Sequence, residues 1–371
     1  MIIRLNVKME KTIQRTRDHS LDLIRMIAIL CVIINHSVEA TYPIGSVAEM
    51  AAFSEAKQVF CYSCFVIGRV AVPLFLMLTG YLLLPREYDA DKASVFYRKK
   101  FLSLLLVWEI WILIYQVFIS WYDQNPVQPH LCLKRMLFLE NAGLAHTWYM
   151  PTIIGIYLFI PLISVALKAM NSKTILLLMA VCYVYVFVIP LISTFLDASD
   201  FEKFHKELYL QFGGGMHGLY VIMGYMLARH KEQIKKRLSL RRIRVLTFLA
   251  ALAAFTLAVI TQIYLVNAGA KYHVWYDNPF LAVAALCLFI LLMSTNIGTG
   301  AAGLAMQISR CSFGMFCVHM MVLMPLEGMV GESVHNYLKL LILFIVTSIA
   351  SYAIVRVLGK IPKLKKLFLM K

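Results

Sequence analysis

Ten apolar stretches of membrane-spanning length follow one another along the chain, and they constrain its fold more than any other feature. A bilayer core about 30 Å thick is crossed by roughly 20 mostly apolar residues of α-helix. The predicted spans are residues 21–40, 65–84, 101–120, 148–167, 174–195, 208–228, 245–265, 278–296, 304–325 and 336–356. Because 61% of the chain is apolar and only 15% is charged, the sequence predicts an all-α polytopic membrane helix bundle without a separate soluble domain.

The Lys and Arg residues predict the orientation of this bundle in the lipid bilayer. The N-terminal segment, the connections after spans two, four and six, and the C-terminal segment hold 26 of them, whereas the connections after spans one, three, five and seven hold 6. Lys and Arg accumulate on the cytoplasmic side of membrane proteins. We therefore predict cytoplasmic tails at residues 1–20 and 359–371, which flank a transmembrane domain at residues 21–358. The same distribution accounts for the net charge of +16 without a nucleic-acid partner.

The first span carries two ionisable residues, Arg25 and His36, eleven positions apart. At about 100° per residue, eleven steps return the helix to within roughly 20° of the same face, and the two residues stand about 16 Å apart along the axis. Ionisable residues at membrane depth are costly and usually mark a site. A structural alternative is that Arg25 extends toward the headgroups and pairs with Asp22. The corresponding alternative for His36 is a hydrogen bond between helices.

Other ionisable and aromatic residues lie in the later spans at three predicted depths. The outer set comprises His36, Arg69, His146, Trp148 and His319. The inner set comprises Arg25 and Arg310, and the mid-depth set comprises Glu109 and His217. Because ionisable residues rarely face lipid, we predict that these groups meet in the bundle interior. Each also has a structural alternative, such as a contact with headgroups, an aromatic belt or a hydrogen bond between helices.

The eight cysteines give no strong functional signal. Five lie in apolar stretches and are predicted packing residues, namely Cys31, Cys182, Cys287, Cys311 and Cys317. Cys61 and Cys64 form a CxxC that the pattern assigns to a loop. A zinc site would need a second pair or histidines with ligand spacing, so no metal is predicted. Whether these two thiols form a disulfide stays open.

Five segments, in order along nearly the whole chain, carry a family resemblance. They are DLIRMIAILCVIINHS, RVAVPLFLMLTGYLL, FYRKKFLSLLLVW, HTWYMPTIIGIYLFIPLI and SFGMFCVHMMVL. The sequence resembles acyltransferase family 3, the ten-span integral membrane acyltransferases that modify cell-surface glycans. It departs from the family pattern at Thr79, which replaces a usual Ser, at Phe316, which replaces a usual Tyr, and at a missing proline before the third span. These departures bear on the substrate more than on the family.

The resemblance implies transfer of an acyl group from cytoplasmic acyl-CoA, usually acetyl-CoA, to a glycan or glycolipid hydroxyl at a bacterial inner membrane. The catalytic set would remove the hydroxyl proton and stabilise the oxyanion, and it comprises His36, Arg69, Glu109 and His319. The donor-binding set would hold the phosphates of CoA, and it comprises Arg25, Arg98, Lys99, Lys100 and Arg310. The acceptor-binding set comprises His146, Trp148 and His217.

The sequence leaves the mechanism, the acceptor and the class of protein open. His36 is suited to act as a general base, and it is equally suited to carry the acyl group covalently before passing it on. The acceptor sugar and the oligomeric state are not readable. A proton-coupled transporter or an exporter of a lipid-linked glycan would also contain buried Arg, Glu and His. The lack of an internal sequence repeat disfavours a transporter, since repeats are common in that class.

Overall fold

A computed structural model describes residues 17–199, 215–331, 334–362 and 364. The regular structure in these ranges is helical, and no β-strand occurs in them. The prediction of an all-α polytopic bundle is therefore confirmed. The predicted N-terminal tail lies outside the described residues up to residue 16, and the predicted C-terminal tail lies outside them from residue 365 onward.

The first half of the chain forms eight helices. They are α1 (His19–Thr41), α2 (Val47–Ala51), α3 (Glu55–Arg69), α4 (Ala71–Leu83), α5 (Ala90–Phe96), α6 (Leu102–Tyr122), α7 (Pro129–Met136) and α8 (Tyr149–Ala169). A π-helical segment, Tyr97–Phe101, joins α5 to α6, so these two helices form one continuous stretch.

The helices of the second half complete the bundle. They are α9 (Ser172–Tyr183), α10 (Ile189–Ala198), α11 (Gly215–Arg229), α12 (Lys231–Leu238), α13 (Arg241–Asn267), α14 (Pro279–Met293), α15 (Thr299–Val330) and α16 (Asn336–Leu358). A second π-helical segment, Val184–Val188, joins α9 to α10.

Eight helical stretches in the described part of the chain are long and apolar enough to cross a membrane. They are His19–Thr41, Glu55–Leu83, Ala90–Tyr122, Tyr149–Ala169, Ser172–Ala198, Arg241–Asn267, Thr299–Val330 and Asn336–Leu358. Of the other two predicted spans, one contains α11, which is described from Gly215 onward, and the other contains α14, a helix of 15 residues. A 15-residue helix is about 22 Å long, which is less than the thickness of the hydrocarbon core.

The second span begins earlier than predicted. Residues 65–84 were expected, but α3 starts at Glu55 and includes both Cys61 and Cys64. The prediction that this CxxC lies in a loop is therefore wrong, and both thiols are free. Polar residues in the first turns of α3 interrupt the apolar pattern, so the sequence did not predict this part of the helix. One of them, Gln58, is buried, and its amide donates to the Met50 carbonyl at 3.0 Å, which satisfies it inside the protein.

Helix α1 lies at the centre of the bundle, in contact with α3, α4, α15 and α16. Its apolar residues Ile24, Ala28, Ile29 and Ile33 are fully buried, because a helix that is covered on several sides needs apolar residues around most of its circumference. This central position brings the polar residues of α1 next to those of several other spans.

Candidate active site

Three of the predicted histidines meet inside the bundle. The ring centroids of His36 and His319 lie 5.3 Å apart, and those of His146 and His319 lie 4.7 Å apart. His146 and His319 are 2% and 0% exposed, and the His36 side chain is 11% exposed. The packing of α15 on α1 brings His319 next to His36, and His146, three residues before α8, joins them. We call these three residues the histidine cluster.

Hydrogen bonds fix the tautomers of two of these rings. Nδ1 of His319 donates to the Phe316 carbonyl at 2.6 Å, which leaves the lone pair of the neutral ring on Nε2. The Tyr115 hydroxyl donates to the Cys317 carbonyl at 2.9 Å and lies 3.2 Å from Nε2 of His146. Because the hydroxyl proton is already engaged, Nε2 of His146 donates and its Nδ1 keeps the lone pair.

The two remaining ring nitrogens, Nε2 of His319 and Nδ1 of His146, have no hydrogen-bond partner among the described residues. In the neutral rings, both are acceptors and not donors. The predicted role of His319 as an oxyanion donor would therefore require its protonated form, and that role stays a prediction.

The third histidine is joined to a carboxylate and an arginine. Nδ1 of His36 lies 2.7 Å from Oε2 of Glu39, and Nη2 of Arg69 donates to Oε1 of Glu39 at 3.0 Å. Glu39 was not among the site residues predicted from the sequence. Its position three residues after His36 on one helix was a usable signal, since residues at i and i+3 are neighbours on a helix face.

Arg69 is held on several sides in the interior. It is 6% exposed, and its guanidinium carbon lies 4.4 Å from the ring centroid of Phe65 and 4.5 Å from that of Trp275. Its Nη1 donates to the Tyr276 hydroxyl at 3.3 Å. Trp275 and Tyr276 were also missed, because they lie in the connection after span seven, where the sequence shows no helical pattern.

Two of the predicted acceptor-binding residues contact each other beside this arginine. The ring centroids of Trp148 and His217 lie 5.8 Å apart. Trp148 also lies 5.5 Å from Trp275 and 5.3 Å from Tyr276. The third predicted residue of that set, His146, belongs to the histidine cluster instead.

A cavity of about 650 Å³ approaches the histidine cluster from the Arg25 end of α1. Four arginines border it, namely Arg17, Arg25, Arg86 and Arg310. Arg25 and Arg310 were predicted to lie together, whereas Arg17 and Arg86 were assigned only to basic connecting segments. We call this space the arginine cavity. Its volume falls within the range of small-molecule sites.

The arginine cavity also reaches Phe316 and Tyr149, whose ring centroids lie 5.6 Å apart. The Phe316 ring lies 5.0 Å from the His146 ring and 5.9 Å from the His319 ring. The Phe316 ring thus borders this cavity and also contacts the histidine cluster.

A second cavity, of about 310 Å³, lies at the Glu39 end of α1. Glu39, Tyr42, Phe65, Arg69 and His273 are among the residues that border it, and we call it the Glu39 cavity. Burial and then the positive charge of Arg69 lower the pKa of His273, which favours a neutral ring there. Arg25 and Glu39 are fourteen residues apart, so the two cavities approach α1 about 21 Å apart along its axis.

Four further predicted site residues are not among the described residues that border the arginine cavity or the Glu39 cavity. The side chains of Arg98, Lys99 and Lys100 are exposed on the π-helical segment, and they are not among the described residues that border the arginine cavity. Glu109 lies on α6, and its Oε2 is buried without a hydrogen-bond partner in the described part of the chain. The roles proposed for these four residues stay predictions.

Buried imidazoles beside an arginine-lined cavity supply a proton acceptor and anion-binding groups, which are the components that acyl transfer from a phosphorylated donor requires. The fold and site therefore describe an integral membrane protein with the residues of an acyl-transfer enzyme. The family model for this class, described as an acyltransferase domain, matches residues 18–356. The chain belongs to acyltransferase family 3, so the resemblance is confirmed and supports membrane acyltransferase activity. Searches of curated proteins and of solved structures found no significant match.

Proposed function

We propose that the protein is a membrane O-acetyltransferase that moves an acetyl group from cytoplasmic acetyl-CoA to a hydroxyl of a cell-surface polysaccharide or lipid-linked glycan. One observation carries this proposal. The arginine cavity has guanidinium groups at one end and, at the other, a wall formed by Phe316 that contacts the histidine cluster. A phosphorylated donor would thus meet cations at one end and, at the other, the Phe316 ring that lies against His146 and His319.

The donor site follows from the chemistry of the cavity. Guanidinium groups match the geometry of phosphate oxygens and keep their charge at all physiological pH values. Arg25 and Arg310 would bind the phosphates of CoA, and the extended pantetheine arm would cover the roughly 16 Å between Arg25 and His36. The orientation predicted from the basic residues would make this the cytoplasmic side, where acyl-CoA is available.

The reaction requires one base. The acceptor hydroxyl oxygen attacks the thioester carbon, and its proton passes to His36. The carbon–sulfur bond then breaks, and the proton is delivered to the leaving CoA sulfur. A covalent acyl-His36 intermediate would give the same products in two steps.

The acceptor would approach from the Glu39 end of α1. The Glu39 cavity presents the ring of His273 beside Glu39 and Arg69, and a sugar hydroxyl can donate a hydrogen bond to a neutral imidazole or accept one from it. Trp148 and His217 lie against Trp275 and Tyr276 in the same region. The setting we propose, from the family resemblance and the predicted orientation, is a bacterial inner membrane with the acceptor on its outer side.

The test is to incubate the purified protein with radiolabelled acetyl-CoA and a panel of surface glycans, and to follow label in the glycan. We expect transfer by the wild type and by His130→Ala, since His130 is exposed on α7, and no transfer by His36→Ala. A protein that moves a glycan across proteoliposomes without acetylating it would be a carrier. Near wild-type turnover by His36→Ala would remove this residue from the chemistry.

A further inference from the structure

Glu39 joins His36 to Arg69 through its two oxygens. Oε2 lies 2.7 Å from His36 Nδ1, and Oε1 lies 3.0 Å from Arg69 Nη2. An ionised carboxylate only accepts hydrogen bonds, so Nδ1 of His36 must carry the hydrogen. The lone pair of the neutral ring is then on Nε2, the nitrogen directed away from Glu39.

We propose that Glu39 and Arg69 are positioning residues that hold His36 in the Nδ1–H tautomer and so present Nε2 to the reacting atoms. This inference rests on the proposed acyl transfer. In a serine-protease triad, a buried aspartate fixes the tautomer of the catalytic histidine in the same manner, and metal-binding histidines are oriented by carboxylates in a similar way. Here the carboxylate and the histidine come from one helix, α1.

Arg69 is suited to hold Glu39 because it is itself immobilised. Its guanidinium lies against Phe65 and Trp275, and Tyr276 accepts a hydrogen bond from Nη1. Nη1 and Nη2 both already donate hydrogen bonds. The positive charge of Arg69 therefore stabilises the Glu39 carboxylate more directly than it would stabilise a thioester oxygen. The Nε of Arg69 has no hydrogen-bond partner among the described residues, so a contribution to the oxyanion must be tested separately.

A close approach of two helices places Arg69 beside Glu39. At Gly68, an ideal Cβ would lie 2.6 Å from Cβ of Asn35 and 2.7 Å from its Cα. Only glycine allows α3 to pack this closely against α1. Arg69, the next residue and the last of α3, is thereby brought within 3.0 Å of the α1 carboxylate.

During transfer, Nε2 of His36 takes the proton of the acceptor hydroxyl and becomes part of an imidazolium. The Glu39 carboxylate stabilises that cation by its charge and keeps its own proton count unchanged, as the aspartate of a triad does. When Nε2 returns the proton to the CoA sulfur, the ring is again neutral and in the Nδ1–H form. No other reactant is required.

The first test compares Glu39→Gln with Glu49→Gln, the same chemical change at an exposed residue of α2. We expect Glu39→Gln to lower kcat by about 100- to 10,000-fold, because an amide permits the wrong tautomer. The KM for acetyl-CoA should stay within about twofold if KM reports donor binding, since Glu39 is not among the described residues that border the arginine cavity. Glu39→Asp should recover part of kcat. A kcat for Glu39→Gln equal to that of the control would overturn the proposal.

The second test measures Arg69→Gln and the double variant Glu39→Gln/Arg69→Gln. A positioning Arg69 acts through Glu39, so the double variant should lose little more than Glu39→Gln alone. Residues that act as one unit are strongly non-additive in this way. If the two losses in kcat multiply instead, Arg69 acts independently on the reacting atoms, and its assignment as a positioning residue is wrong.

The third test requires no turnover. Nitrogen-15 NMR of the histidine-labelled wild type, with the His36 signals assigned by their loss in His36→Gln, reports which ring nitrogen is protonated. We expect the Nδ1–H form in the wild type and a mixture of tautomers in Glu39→Gln. A wild-type His36 in the Nε2–H form would exclude the proposal, even where Glu39→Gln fails to fold. An Nδ1–H signal in a protein without acetyl transfer would instead count against the proposed function alone.

Discussion

Nη1 of Arg25 lies 3.8 Å from Oδ1 of Asp22, at the outer limit of an ion pair. Arg17 holds the same carboxylate more tightly, with Nε and Nη2 donating at 2.6 and 2.7 Å. Arg25 reaches Asp22 mainly through the Ser309 hydroxyl, which accepts from Arg25 at 2.9 Å and donates to Asp22 at 2.7 Å. The alternative that Arg25 serves only as an ion-pair partner of Asp22 is thus only partly met. The Arg25 guanidinium also borders the arginine cavity.

We therefore expect Arg25→Ala to weaken CoA binding. A hydrogen bond to a charged group contributes about 1.5–3 kcal/mol, which corresponds to roughly one to two decades in affinity. Arg25→Lys should recover only part of this, because an ammonium group cannot reproduce the planar fork of a guanidinium. Isothermal titration calorimetry with CoA on the purified variants measures the effect.

Two variants serve as controls for this measurement. Arg242→Ala removes an exposed arginine at the start of α13, and it should bind CoA as the wild type does. His36→Ala should also keep its CoA affinity, because the imidazole lies at the other end of α1. Unchanged CoA affinity together with a lowered Tm in Arg25→Ala would leave Arg25 as a structural residue only.

Phe316 offers a test of what limits the size of the acyl group. Its ring forms part of the arginine cavity wall and contacts His146 and His319. Phe316→Ala should admit longer acyl chains, so we expect the ratio of kcat/KM for butyryl-CoA to that for acetyl-CoA to rise by about tenfold or more, since each methylene in a pocket is worth about 1–3 kcal/mol. Phe316→Tyr keeps the ring and should leave the ratio near the wild-type value. An unchanged ratio in Phe316→Ala would show that another group limits the chain.

Much of the architecture could be predicted because its causes are local. Spans appear as apolar runs of sufficient length, and every predicted span that the structure describes contains a helix. The shared face of Arg25 and His36 follows from helical periodicity alone. The meeting of His36, His146 and His319 in the interior could be predicted because placing ionisable residues in lipid costs free energy.

The contacts that give these residues their chemistry were not readable because they cross between helices. The Arg69–Glu39 pair depends on the close packing at Gly68, and Trp275 joins it from a connecting segment. Arg98 belongs to a basic run with the expected charge, but charge in the sequence does not show whether a side chain reaches the cavity. The start of α3 at Glu55 was not predicted because its polar residues favoured a loop. In the helix, buried partners satisfy such residues.

Helices α4 and α11 approach each other closely at two glycines, Gly80 and Gly224. This close approach predicts an effect of substitution on stability. An ideal Cβ at Gly80 would lie 1.8 Å from the Val221 carbonyl oxygen, and one at Gly224 would lie 2.0 Å from the Met77 carbonyl oxygen. These neighbours are backbone atoms that cannot rotate away. We expect Gly80→Ala and Gly224→Ala each to cost at least about 1–3 kcal/mol, as overpacking in a close-packed interior does, and to lower Tm in a fixed detergent.

Gly155 is the matched control for this prediction. It lies inside α8, and an ideal Cβ there meets nothing within 4 Å. Gly155→Ala should keep or raise Tm, since alanine is favoured over glycine in a helix by about 0.5–1 kcal/mol. Equal melting temperatures for Gly80→Ala and Gly155→Ala would show that α4 and α11 can separate without cost.

The orientation of the bundle can be tested at Ser239, which is exposed at the end of α12 in the basic connection between α11 and α13. The basic residues predict that this connection is cytoplasmic, on the same side as the proposed donor. A membrane-impermeant maleimide should therefore fail to label Ser239→Cys in intact spheroplasts and should label it after lysis. Gln128→Cys, exposed in the connection between α6 and α7, should be labelled in intact spheroplasts, and the unsubstituted protein gives the background of its native thiols. Labelling of Ser239→Cys but not of Gln128→Cys before lysis would invert the orientation, and the arginine cavity would then face away from cytoplasmic acetyl-CoA.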